Sequence, residues 1–124
     1  MKITKTPVET VGKVWGSEQW LVNNESYCMK LLVLHVGFTS SWHYHRAKKE
    51  TLVVKKGSCH LVMENRDGDL ECQELVAGDS VTIYPGRRHR IFNPEPSTRP
   101  CVIYEVSTRH YDYDVVRETE SKKI

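Results

Sequence analysis

Three histidines and a glutamate stand at spacings that suit a metal. In residues 37–57 (GFTSSWHYHRAKKETLVVKKG) His43 and His45 occupy alternate positions, and Glu50 follows five residues after His45. Residues 78–93 (GDSVTIYPGRRHRIFN) add His89. Three imidazoles and one carboxylate make a donor set for one divalent transition metal (manganese, iron, cobalt, nickel or zinc) without choosing among them. Four protein ligands leave about two positions open on an octahedral ion, enough for two neighbouring oxygens of a substrate such as a sugar to chelate. Chelation of O1 and O2 would stabilise an enediolate while a base carries a proton between adjacent carbons, which is aldose–ketose isomerisation. Glu50 is the nearest candidate base, weakened by its own metal contact, and Glu105 is the second.

Other residues are candidates with a plainer alternative beside each. Lys30 lies mid-strand between apolar neighbours: facing inward it is a buried amine that needs an anion, facing outward it is a solvated lysine. Arg46 and Arg88 flank the histidines, and their forked donors suit a phosphate as well as they suit surface carboxylates. Tyr84 and Tyr104 are candidates for the mouth of a substrate pocket, against a packing role. Glu105 also reads as a surface or salt-bridged strand residue. His35, His60 and His110 fit no motif and read as bystanders. Trp15, Trp20 and Trp42 read as core or interface.

The elements that must position these groups are strands. Apolar runs are short, β-branched or aromatic, and broken by Gly, Pro, Asn and Asp, and no long segment keeps helical spacing. Strands are expected over residues 17–22, 27–36, 40–46, 50–54, 58–64, 70–75, 81–84, 89–93 and 101–106. Residues 1–13 form an arm or edge strand, and a short helix is expected around 113–120. Alternation within 40–46 sends His43 and His45 to one face, since side chains repeat every two residues. Nine to ten short strands with regular turn signals imply an all-β sandwich or barrel, and a closed barrel brings metal-type residues from different strands together.

Bulk properties narrow the setting. A chain of 124 residues reads as one domain, 1–124, long enough to bury a core. Its 18 basic and 16 acidic residues are interspersed and net to +2, which fits an ordinary solvated surface and not a nucleic-acid partner. Four cysteines without a CxxC pair, and no secretory signal at the N-terminus, point to free thiols in a reducing cytoplasm. No apolar run approaches membrane-spanning length, so no membrane partner is expected.

The two histidine stretches resemble the cupin signature. The first runs Gly37, five residues, His43-x-His45, four residues, Glu50, six residues, Gly57; the second runs Gly78, then Pro85-Gly86, two residues, His89, three residues, Asn93. In the second the proline stands directly before the glycine, where the signature has it two positions earlier. A narrower likeness is to the cupin domain of type II phosphomannose isomerases. It is carried by Val14-Trp15-Gly16, Tyr27-Cys28-Met29-Lys30, His43-Tyr44-His45-Arg46-Ala47, His89-Arg90-Ile91-Phe92-Asn93-Pro94, Tyr104-Glu105-Val106 and Asp114-Val115-Val116-Arg117. Two departures stand out: Trp42 where that family usually has glutamine, and a loop about two residues longer between His45 and Glu50. The resemblance implies a double-stranded β-helix (jelly-roll barrel), a homodimer, and a metal-dependent isomerase of the mannose 6-phosphate to fructose 6-phosphate type. Two alternatives share the ligand set: a non-haem metal dioxygenase, and a non-catalytic metal- or sugar-binding cupin.

Overall fold

The computed structural model describes residues 2–124. Thirteen strands form two antiparallel sheets. One contains β1 (Glu9–Lys13), β2 (Gly16–Asn23), β3 (Cys28–Leu34), β6 (Glu50–Lys56), β9 (Ser80–Ile83) and β11 (Cys101–Ser107), in the order β1-β2-β3-β11-β6-β9. The other contains β4 (Phe38–Thr39), β5 (His43–His45), β7 (Ser58–Glu64), β8 (Leu70–Val76), β10 (His89–Asn93), β12 (Val115–Arg117) and β13 (Lys122–Lys123). The architecture is the all-β double-stranded β-helix expected from the sequence.

The core follows from period-two alternation on the central strands. On β3 the buried row is Cys28, Lys30, Leu32 and Leu34; on β6 it is Glu50, Leu52 and Val54; on β11 it is Cys101, Ile103, Glu105 and Ser107. Register aligns these rows: Leu34 lies opposite Cys101, Leu32 opposite Ile103, and Lys30 opposite Glu105. Glu50 in turn lies opposite Ser107. Each inward row therefore changes from apolar to polar at the same level of the barrel. Leu32, Leu34, Leu52, Val54, Leu61, Ile83, Ile91 and Ile103 fill one end with aliphatic side chains. The other end is left with charges and imidazoles that must satisfy one another.

Two expectations are corrected. The segment 40–46 is not one strand: β4 and β5 are separated by an irregular stretch, Ser40–Trp42, in which the Ser40 backbone N–H donates to the Ile91 carbonyl at 2.9 Å. The chain beyond residue 112 holds no α-helix. A single 3-10 turn, Asp112–Asp114, leads into β12, which pairs with β5, and β13 pairs with β4. Val115 and Val116 are β-branched, and the open edges of β5 and β4 give this tail a ladder to join, so pairing overrides local helix formers. Of residues 1–13, Glu9–Lys13 is an edge strand on β2. Met1 lies outside the described residues.

Candidate metal centre

His43, His45 and His89 converge so that one ring nitrogen from each lies within 4.8 Å of the others. The ladder does this directly: His89 of β10 sits opposite His43 of β5, and His45 follows two residues on. Hydrogen bonds fix how the rings point. His43 Nδ1–H donates to the Ser41 carbonyl at 2.8 Å, and His89 Nδ1–H donates to the Arg87 carbonyl at 2.8 Å. A carbonyl only accepts, so these two imidazoles carry their hydrogen on Nδ1 and present a bare Nε2 to the cavity. The third ring turns Nδ1 toward Asp114 Oδ2 at 3.7 Å and Nε2 toward Glu50 Oε2 at 3.9 Å.

Glu50 closes the group. Its Oε1 is 3.0 Å from His89 Nε2, and its Oε2 is buried with no hydrogen-bond partner among the described residues. An imidazole lone pair facing a carboxylate oxygen is two acceptors in contact, an arrangement that a cation between them relieves. Burial, acting first, lowers His43 to a pKa of about 4 and His45 to about 3, with neighbouring cationic or imidazole groups adding to it. Both are neutral at pH 7, the form that ligates. Burial pushes the Glu50 carboxyl up, but the His89 ring, whenever it carries a proton on Nε2, and the Lys48 ammonium outweigh it and hold the group below the carboxylate range. The donor set thus fits one divalent ion of the transition series.

The same cavity, of about 390 Å³, extends away from the histidines over Trp20, Lys30, Lys48, Glu105 and His110. Lys48 Nζ donates to Glu105 Oε2 at 3.1 Å and to His110 Nδ1 at 3.3 Å, and lies 3.3 Å from Glu50 Oε2 without hydrogen-bond alignment. His110 Nε2–H donates to Asp112 Oδ1 at 2.9 Å, which leaves Nδ1 to accept from Lys48 and, at 3.2 Å, from Lys30. The Lys30 ammonium also lies 4.0 Å above the Trp20 ring. Burial and the negative charge of Glu50 raise the Glu105 carboxyl above its ordinary value, against the pull of both lysines.

The family model for the cupin domain matches residues 30–107, well over half of the chain. The chain belongs to the cupins. Solved structures agree on the fold. A variant of oxalate decarboxylase from Bacillus subtilis superposes with a TM-score of 0.79 at 15% identity, over 90% of this cupin and 30% of that chain. The capsular polysaccharide assembling protein CapF from Staphylococcus aureus gives 0.79 at 18% identity, over 94% of this cupin and 35% of that chain. The cupin therefore spans about a third of the length of each. Among curated proteins no sequence matches this one. Among the described residues no helix is long and apolar enough to cross a membrane.

Within this cupin the candidate residues separate cleanly. Lys30, His43, His45, Glu50, His89 and Glu105 all line the cavity. Arg46, Tyr84, Arg88 and Tyr104 do not. Arg46 is exposed, 3.5 Å from the Tyr113 carbonyl. Arg88 faces outward and donates to Glu118 at 2.6 Å. Tyr84 is exposed beneath Lys49, and Tyr104 stands beneath Lys55 on the outer face of β11. Alternation explains Tyr104, which directly neighbours the inward Glu105 on β11, and Arg46 and Arg88 sit just outside β5 and β10, each directly next to an inward histidine. Sequence reading missed Lys48, His110 and Trp20, which do line the cavity, and Asp114, which supports it. Asp114 accepts the backbone N–H groups of Ala47 and Lys48 at 2.8 and 3.1 Å and so ties the loop after β5 to the strand beside it. The signals available were the His110-x-Asp112 spacing and the position of Lys48 two residues before Glu50.

Proposed function

We propose that this cupin is a metal-dependent isomerase of a sugar phosphate, of the type that interconverts mannose 6-phosphate and fructose 6-phosphate. The observation that supports it is one cavity holding two differently poised carboxylates. Glu50 sits among the histidines, and Glu105 sits apart from them with a raised proton affinity. Bound by His43, His45, His89 and Glu50, a divalent ion would supply Lewis-acid stabilisation of the oxygen on which charge develops during proton transfer. A structure of the Bacillus oxalate decarboxylase is described with Mn(II) centres, which supports manganese as the first ion to load.

The chain's own residues do the rest. Glu105 takes the proton from one sugar carbon and returns it to the next; its raised proton affinity suits a group that must both accept and give. Lys30 keeps donors free for a sugar oxygen, because His110 engages only one of its three. Lys48 holds Glu50 and Glu105 at fixed positions. Leu32, Leu52 and Ile91 wall the apolar end and keep water from the reacting carbons. The reading takes the chain as one domain working as a homodimer in the cytoplasm. The exposed edge of β1 supports pairing, and four free cysteines support a reducing compartment.

The test is incubation of manganese-loaded protein with mannose 6-phosphate, followed by assay for fructose 6-phosphate. Absence of product removes this substrate. Glu105→Gln is expected to keep the metal and lose activity by about a hundredfold or more, whereas Glu50→Gln is expected to lose metal. Oxygen uptake by iron(II)-loaded protein, without isomerisation, would reassign the site to a dioxygenase.

A further inference from the structure

Every cation on the cavity wall but one already has an anion. Lys13 and Lys30 each lie 3.9 Å from Glu18, Lys30 also lies 3.9 Å from Glu105, and Lys48 contacts both Glu105 and Glu50. The exception is Arg117. It lines the same cavity, is exposed, and joins none of the ion pairs formed among the described residues. In the β12–β5 ladder Arg117 stands opposite His43, and Val115, two residues earlier, stands opposite His45. Val115 and Arg117 both line the cavity, so this face of β12 looks onto the metal-type residues. The Arg117 charge is also among those that depress the His43 imidazole.

Charge decides where an anionic ligand group can go. The interior already holds Glu18, Glu50 and Glu105, and a phosphate buried beside them would face three carboxylates while the lysines there are already paired. At the mouth the phosphate stays hydrated and meets a free guanidinium, whose fork matches phosphate oxygens. Arg46, Arg88 and Arg90, the arginines directly next to these histidines in sequence, do not line the cavity.

We infer that Arg117 is the specificity-determining residue for a phosphate monoester, holding it at the cavity mouth while the carbonyl end of the sugar lies against the histidines. This rests on the sugar-phosphate reading of the site and names the group that reads the phosphate.

Calorimetry on the intact, manganese-loaded protein tests it, with mannose 6-phosphate, mannose and inorganic phosphate as probes. Wild type is expected to bind mannose 6-phosphate more tightly than mannose. Arg117→Ala is expected to weaken mannose 6-phosphate by about tenfold or more and to leave mannose unchanged. Arg117→Lys is expected to recover part of the loss, since the charge returns without the fork. Inorganic phosphate is expected to compete with mannose 6-phosphate in wild type and not in Arg117→Ala. The inference is overturned if Arg117→Ala binds mannose 6-phosphate as wild type does, as it would were the phosphate on the metal. It is equally overturned if wild type binds mannose as tightly, or binds neither sugar. Arg117-dependent binding with no fructose 6-phosphate formed would support Arg117 and overturn the isomerase reading alone.

Discussion

Lys48 offers the most direct test of the charge arrangement. Its side chain is 2% exposed, and its ammonium touches Glu105 at 3.1 Å and Glu50 at 3.3 Å. Burial disfavours the charged amine, but the two carboxylates outweigh burial and raise its proton affinity. Lys48→Met keeps the length and removes the charge, leaving Glu50 and Glu105 buried and facing each other. Breaking a buried ion group by deleting one partner costs about 3–5 kcal/mol. For 124 residues, the lower figure corresponds to a fall in Tm of about 12 °C. The assay is thermal unfolding of metal-free protein at pH 7, followed by circular dichroism. Lys48→Met combined with Glu105→Gln should recover part of the loss, because one of the two stranded charges is gone and the sites are coupled. Loading metal should also narrow the gap, since the ion would neutralise Glu50. A metal-free Lys48→Met melting within about 2 °C of wild type, the range of an ordinary surface change, would refute the buried-charge account.

Three further outcomes follow from the same geometry. Metal-free protein should lose stability as pH falls from 6.5 toward 4. The unfolded chain protonates both His43 and His45 near 6.5, whereas the folded chain resists to about 4 and about 3. The unfolded state thus binds more protons in that window, and each histidine costs about 2 kcal/mol by pH 5. A urea midpoint unchanged between pH 7 and pH 5 would count against buried neutral imidazoles. Asp114→Asn should weaken metal binding about tenfold, because Asp114 accepts the Ala47 and Lys48 backbone N–H groups and so anchors the loop that follows His45, and a metal titration equal to wild type would remove Asp114 from that role. Gly57→Ala should cost clearly more than Gly37→Ala. Both sit at positive φ, +75° and +86°, but a Cβ on Gly57 would lie 2.5 Å from the Pro100 carbonyl oxygen while one on Gly37 meets open space. Strain alone costs about 1–2 kcal/mol, so equal melting temperatures for the two variants would show that the Pro100 backbone moves aside freely.

The barrel and its three histidines were legible because alternation is a local rule. A two-residue period puts His43 with His45, and Lys30 with Leu32 and Leu34, whatever the tertiary context. The same rule, applied to neighbours of inward residues, turns Tyr104 outward. Flanking a histidine in sequence makes Arg46 and Arg88 candidates for a ligand contact, but adjacency in sequence is not adjacency in space. The tail was misread for a different reason. Residues 113–120 show no decisive period, and their strand form depends on the free edge of β5, which lies some seventy positions earlier in the chain.

Lys48 and His110 were hidden for a deeper reason. A lysine between Ala47 and Lys49 reads as solvated loop, and a lone histidine near a charged tail reads as surface. What buries them is mutual: Lys48 is tolerable inside only because Glu50 and Glu105 arrive from β6 and β11, and His110 only because two ammoniums need an acceptor. Neither condition is written near the residue it governs. The lysines inside the cavity are thereby matched before any ligand enters, so among the protein's own side chains recognition of an anion falls to a cation outside that network. Arg117 is the cavity-lining cation that meets this condition, and its selectivity would depend on the interior lysines staying paired. Lys48→Met should therefore disturb the metal end of the cavity while leaving the preference for a phosphorylated sugar over its neutral form intact. Calorimetry on that variant with mannose 6-phosphate and mannose measures this, and a preference that vanishes with Lys48 would place the phosphate in the interior.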